Sequence, residues 1–388
     1  PEGAKINLIG YCAYNPYYSG SGSGSTDTAD AINVVQGLED AGFQVNTAAQ
    51  AAYPVVEAEE GSLGFDAGSA LVINEPSLAA FTGDASLQSM AAYSDIAVIV
   101  IGRTGGEGYD LTNFDGDYLE LSQNEQDLLA AACQTFGTVI VVYNGANAIN
   151  MDVLSTYNID ALIWAGEPGS YGFEALGQIL SGAVNPSAKL PDTWVYDPDS
   201  APANENFGTQ EASNASGRYY VDYVEGIYVG YRWYETAAAE GAVITNTKTG
   251  ETFDYNNFES VVCYPFGYGL SYTTFSQEIT GGTLTDGVSL DPTETYSIDV
   301  TVTNTGSVAG KEVVQLYVTV PYTDYDIQNG VEKSAVTLVA YGKTGILEPG
   351  ASEVITLEVS MEDIASYDAS HANTNGTQGS YMLDAGEY

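Results

Sequence analysis

Hydrophobic and polar positions follow two different periods along this chain. In the first half, short aliphatic or β-branched runs occur at 5–10, 96–102, 138–143 and 161–165. Between them lie segments with helical spacing, at 27–41, 123–136 and 172–181. Ile32, Val35 and Leu38, with Val34 beside them, make one apolar stripe of the kind a helix buries. Ser122 followed by Glu125 spells a capping box, in which each side chain satisfies the other's orphan backbone N–H. The strand runs are apolar on both faces, which predicts a parallel sheet covered by helices on either side. The first half therefore reads as an α/β sandwich.

From about residue 272 the period shortens. Segments 297–303, 312–320, 335–340 and 353–359 are strand-like, separated by Gly, Pro, Asn or acidic turns, with no convincing helix. Val313, Gln315, Tyr317 and Thr319 alternate with Val314, Leu316, Val318 and Val320, the pattern of a half-buried strand. Several short strands over roughly a hundred residues predict an antiparallel β-sandwich. The organisation expected is thus an α/β domain over 1–240, a connecting segment rich in polar and aromatic residues over 241–274, and a β-sandwich over 275–388. Strand-like residues lie close to both ends, so the chain is expected to be a section of something longer, its sandwich cut short at the last strand. The run SGSGSGS at 19–25 follows a strand and precedes a helix, and is expected to be an ordered loop.

Charge narrows the function more than the fold. Among 388 residues, 52 Asp and Glu face 9 Lys and Arg, a net charge of −43. Such a field repels phosphate backbones and anionic lipids, so no nucleic-acid partner is expected. No apolar run approaches the length of a membrane span, so no membrane insertion is expected within this segment. The acidity suits an extracellular or cell-surface setting. Cys12, Cys133 and Cys263 are too far apart for a zinc motif, and disulfides are not expected to organise the fold. Cys133, within an apolar stretch, reads as a small buried hydrophobe.

Ligands of open α/β sheets collect at the carboxyl ends of strands. Three Gly-rich segments fall there: 17–25, 102–110 (GRTGGEGYD) and 166–172 (GEPGSYG). Gly20, Gly22 and Gly24 match no phosphate-binding spacing and have no basic residue nearby, which argues for a tight turn or the approach of a neutral ligand. Glu107 stands between Gly105, Gly106 and Gly108, with Arg103 before it and Tyr109 and Asp110 after it. A carboxyl presented this way serves as a general acid if a second carboxylate or an apolar wall raises its pKa; otherwise it is a solvated loop residue. Asp110, Asp115, Asp117 and Glu120 crowd together without the register of a calcium loop. No metal site and no cofactor are expected. His371 is the only histidine and lies in a polar stretch, which disfavours Ser-His-Asp and Cys-His chemistry. Asn214 and Asn375 head chance-level glycosylation triplets. Tyr219, Tyr220, Tyr223, Tyr228, Tyr231 and Tyr234 suit either sugar stacking or packing at core and interface, with packing favoured.

Several segments taken together resemble glycoside hydrolase family 3. They are YVEGIYVGYRWYE at 223–235, YPFGYGLSYTTF at 264–275 and GEPGSYGFEALGQILSGAVNPSAKLPDT at 166–193. Segments 310–319, 332–340 and 347–353 resemble the family's fibronectin type III-like domain. The resemblance implies a retaining, exo-acting β-glycosidase of β-glucosidase or β-xylosidase type. Its substrate would be an oligosaccharide or an aryl or alkyl β-glycoside. GRTGGEGYD matches the family's acid/base loop, so the resemblance assigns Glu107 as general acid/base, with Arg103, Tyr109 and Asp110 at the substrate. Glu167 is expected to shape the site. The family's aspartate nucleophile belongs to a (β/α)8 barrel with no counterpart in these residues; Asp192 lies in the sandwich-type LPDTW segment. Residues 8–43 resemble the opening of circularly permuted members, which places the barrel downstream or in another chain. The alternative from a different class is a non-catalytic extracellular module that binds carbohydrate or builds an assembly.

Overall fold

The four aliphatic runs of the first half become β1 (Lys5–Ile9), β3 (Ile96–Gly102), β4 (Thr138–Asn144) and β5 (Ala161–Trp164) of one sheet, which the short β2 (Gln44–Asn46) joins without such a run to announce it. These belong to a computed structural model that describes residues 3–20, 22–53, 75–104, 119–206, 223–372 and 376–388. The chain divides into two compact units, Pro1–Val184 and Asn185–Tyr388.

In the first unit the strands run parallel in the order β2-β1-β3-β4-β5. The chain leaves β1 for β2 on one side, then returns to β3 on the other. The gap between the carboxyl ends of β1 and β3 is therefore the switch point at which open α/β sheets take their ligands. The helices are α1 (Tyr11–Tyr14), α2 (Val34–Asp40), α3 (Leu87–Tyr93), α4 (Gln123–Thr135), α5 (Asp152–Ser155) and α6 (Gly172–Ser181). Side chains two apart share a face of a strand. Ile6, Leu8, Val98, Val100 and Val142 accordingly pack with Val34 and Leu38 of α2 and Phe173 and Leu176 of α6. Their neighbours Ile9, Ile99 and Val141 are as deeply buried on the opposite face. Helices α2 and α6 meet through Gly37 and Gly177, where a Cβ would stand 2.1 Å from Phe173 O and 2.0 Å from Gly37 O respectively.

The second unit opens with β6 (Trp194–Val195), α7 (Pro202–Asn206), α8 (Tyr231–Ala239), β7 (Val243–Thr245), β8 (Thr252–Asp254) and β9 (Val262–Tyr264). Val195, Tyr234, Ala237, Tyr255, Val261 and Val262 give this region a small core of its own. The later strands are antiparallel. β10 (Phe275–Gly282), β11 (Thr295–Asn304) and β14 (Ser352–Ser360) form one sheet. β12 (Val313–Val318) pairs with β13 (Thr337–Lys343), and β15 (Ser366–Ala372) with β16 (Gln378–Met382). Ile298, Val300 and Val302 of β11, Val314 of β12 and Leu357 of β14 form the sandwich core with Leu347.

Three sequence readings change. The helix expected at 27–41 begins only at Val34, because Ile32 N is drawn to Ser170 O (2.8 Å) and Asn33 then caps the helix by accepting from Gln36 N. Cys133 is half-buried, with its thiol on Asn158 O; the buried cysteine is Cys12, and all three are free thiols. The β-rich region does contain a helix, α9 (Asp324–Asn329), capped by Thr323 and closed by Gly330 in the left-handed region at φ 67°. Of the six tyrosines, Tyr234 is buried and Tyr231 stacks on Phe266 at 4.5 Å, whereas Tyr223 is exposed; Tyr219 and Tyr220 lie outside the described residues. Among the described residues no helix is long and apolar enough to cross a membrane.

Candidate active site

At the carboxyl edge of the parallel sheet, four strand ends are fastened together by buried polar side chains. Asn144 closes β4 and is fully buried. Its Oδ1 accepts from Tyr17 N (2.8 Å), and its Nδ2 donates to Tyr17 O (2.8 Å) and Gly166 O (2.7 Å). Its carbonyl accepts from Arg103 N (3.0 Å). The amide side chain thus joins the turns that follow β1 and β5, and the backbone carbonyl of the same residue adds the turn that follows β3. Gly10, at φ 108°, starts the first of these turns, and a Cβ there would stand 2.2 Å from Val100 O on β3.

Arg103 is the residue from which the 105–118 segment springs, and its side chain is fully buried. Nη1 and Nη2 engage Glu125 Oε1 and Oε2 side by side, both at 2.8 Å, a fork geometry that fixes orientation as well as charge. Nη1 also donates to Gly102 O (2.8 Å) and Nη2 to Glu120 O (2.6 Å). Glu125 is held for this purpose by the capping box foreseen from Ser122: Ser122 N donates to Oε2 at 2.8 Å. On the far side of the segment, Leu119 O accepts from Asn150 N (2.9 Å) and Leu121 is buried. Arg103 therefore pins together the chain entering and the chain leaving residues 105–118.

Glu107, Tyr109, Asp110, Asp115 and Asp117 fall within 105–118, outside the described residues, and Asn214 and Asn375 lie outside them elsewhere in the chain. Arg103 stands next to them in sequence, but its hydrogen bonds run to protein groups. Glu167, beyond β5, accepts from Thr104 Oγ1 (3.2 Å). Burial raises its pKa, partly offset by that hydrogen bond. The acid expected to shape the site is thus joined to the residue next to Arg103.

Two residues went unnoticed in the sequence. Asn144 ends an aliphatic run, and a lone amide at the end of a buried parallel strand was the available signal. Glu75 left no local signal. Its carboxyl accepts from Tyr11 N and Tyr53 Oη, both at 2.9 Å. Burial lifts its pKa to about 8 against the pull of those two donors. Among the described residues, the acidic grouping tight enough to share a cation is Asp197, Asp199 and Glu251, which belongs to the second unit and includes no residue of this edge.

The chain matches the glycosyl hydrolase family 3 C-terminal domain over residues 1–231 and a fibronectin type III-like domain over 312–387. The chain belongs to glycoside hydrolase family 3. It is 32% identical to a β-glucosidase of Ruminococcus albus, over its whole length and 36% of that protein's. A solved β-glucosidase of Paenibacillus barengoltzii superposes with a TM-score of 0.76 at 32% identity, covering 99% of this chain and 38% of that one. β-Glucosidase 3B of Thermotoga neapolitana in complex with glucose gives 0.71 at 29% identity, covering 94% and 46%. The chain spans between about a third and a half of the length of these family members.

Proposed function

We propose that this chain is the acid/base half of a retaining, exo-acting β-glucosidase of family 3. Glu107 is its general acid/base, and the aspartate nucleophile comes from a (β/α)8 barrel outside these residues. The observation that carries this reading is the Arg103 clamp. A buried ion pair that joins both stems of residues 105–118, at the switch point of a parallel sheet, suits a segment whose carboxyl must stay in place while a sugar is cleaved. Terminal β-linked glucose is the substrate, since the relatives are named β-glucosidases and one was solved with glucose. Tyr109 and Asp110 contact the sugar, and Arg103 acts through the segment it holds. The setting is extracellular or cell-surface, consistent with the net charge of −43.

Retention requires two carboxyls about 5–5.5 Å apart. Glu107 gives its proton to the leaving oxygen as the nucleophile forms the glycosyl–enzyme bond. Its carboxylate then takes a proton from the water that breaks that bond. The test is Glu107→Gln in the enzyme with its barrel. Glucosides with poor leaving groups should lose about 10³-fold or more in turnover, while activated aryl glucosides lose far less in the first step. Azide, a nucleophile that needs no base, should restore turnover of activated substrates and yield the β-glucosyl azide. Equal losses for both substrate classes and no azide product would remove Glu107 from this role and leave a carbohydrate-binding module as the reading.

A further inference from the structure

Glu75 is the buried acid that the proposed reaction leaves without a task. It is 7% exposed, and two routes lead from it to Arg103. The first follows the backbone. Glu75 Oε2 accepts from Tyr11 N, and Oε1 from Tyr53 Oη, which itself accepts from Gly10 N at 2.8 Å. These contacts fix the start of the turn whose far end, Tyr17, is locked to Asn144, and Asn144 O holds Arg103 N. The second route runs through α4. Asn124 Nδ2 donates to Glu75 O (2.8 Å), and the next residue, Glu125, grips the guanidinium.

The carboxyl also matters electrically. Glu75 and Glu125 line one small cavity together with Tyr11, Cys12, Tyr17 and Gly102, and the Arg103 charge is felt there by the Cys12 thiol. Among the described residues Tyr53 and Tyr14 are further titratable neighbours, and burial raises the pKa of both, as it does that of the Cys12 thiol. While Glu75 is neutral, Arg103 and Glu125 form a balanced pair. An ionised Glu75 sets a second carboxylate against Glu125 in a dry site, where such charges are strongly felt. A protonated carboxyl still accepts from Tyr11 N through one oxygen, while its bond to Tyr53 Oη reverses, the carboxyl donating where the ionised form accepts.

We propose that Glu75 is a positioning residue for the Glu107 segment, whose carboxyl and carbonyl hold the β1 turn and the start of α4 in the register Arg103 needs to clamp both stems. The proposal rests on the role given to Glu107 above. Its test uses Glu75→Gln, which mimics the protonated acid, and Glu75→Ala, which removes the acceptor, in the enzyme with its barrel. Two readouts are taken: kcat and KM on an aryl β-glucoside, and hydrogen-exchange protection of the Arg103 and Asn150 amides, corrected for intrinsic rates. Glu75→Ala should lower protection and kcat each about tenfold with KM within about twofold, and Glu75→Gln should restore both at pH 6. At pH 9 the wild type should lose protection at these amides while Glu75→Gln keeps it. The proposal is overturned if wild type and Glu75→Gln lose protection alike, or if Glu75→Ala melts earlier with stem protection and kcat unchanged. Should Glu75→Ala fail to fold, the comparison of Glu75→Gln with wild type across pH decides. If the wild type cleaves no β-glucoside, the role of Glu107 falls, and amide protection still decides on Glu75.

Discussion

The parallel unit and the antiparallel unit contain the same device, put to different use. In each, a helix begins with a capping box whose acid also takes a buried cation. In the first unit Ser122 caps α4, and Glu125 binds Arg103. In the second Thr323 caps α9, and Asp326 binds Lys333 at 2.7 Å, with Asp384 as a further partner at 2.5 Å. Each unit also has a fully buried asparagine that clasps backbone. Asn144 joins three strand ends, whereas Asn304 donates to Val308 O and Leu347 O and accepts from Thr273 Oγ1 within its own sandwich. The difference lies in where the strands end. Parallel strands bring all their carboxyl ends to one edge, so fastening that edge gathers loops around a single place. Antiparallel strands send successive ends to opposite edges, and there the same fastening stabilises turns and ties the residues around Asp384 to the α9 region.

The sharpest way to break this comparison is to remove the two cations. Arg103→Met and Lys333→Met each leave a buried carboxylate unpaired and should each cost about 3–5 kcal/mol by denaturant titration. Only Arg103→Met should also lower kcat, by about 100-fold, since it frees both stems of residues 105–118. Similar kcat values in the two variants would dissolve the distinction between the units.

Next in size is a pH effect confined to the first unit. Burial holds the Glu75 acid at about 8, above the ordinary carboxylate range, so the folded state binds its proton more tightly than the unfolded chain does. That contribution is complete below the unfolded value and disappears as pH rises towards and through 8. The wild type should therefore lose on the order of 3 kcal/mol relative to Glu75→Gln between about pH 5 and 8, measured by unfolding across pH. Parallel stability curves would place Glu75 in a wetter site.

Asparagine replacement should separate the units by activity more than by stability. Asn144→Ala and Asn304→Ala each strand several buried polar groups and should cost about 2–3 kcal/mol. About a tenfold loss of kcat is expected for Asn144→Ala alone. The smallest effect concerns the caps. Ser122→Ala and Thr323→Ala should each lower stability by about 1 kcal/mol, with a detectable change in kcat only for Ser122, whose helix presents Glu125 to Arg103.

Much of this architecture is a matter of local order. Apolar runs at strand spacing, the helical spacing along 172–181 and the Ser122–Glu125 pair each act over a few residues, so they are legible without the fold. The sequence also placed Glu107 in a Gly-rich segment after the strand at 96–102 and carried the motifs of family 3. Local signals fell short where a distant contact competed. Hydrogen bonding of Ile32 to Ser170 delayed the start of α2, and an Asp rather than Glu at the third position of α9 made its capping box easy to overlook. Strand order, and with it the edge on which the loops meet, follows from long-range packing. Only that packing matched Arg103 with Glu125, Asn144 with Tyr17, and Glu75 with Tyr11, pairs separated by 22, 127 and 64 positions. A charge or amide in the sequence announces that it needs a partner if buried, but the partner is chosen by the packing of the sheet, which brings remote residues together at its carboxyl edge.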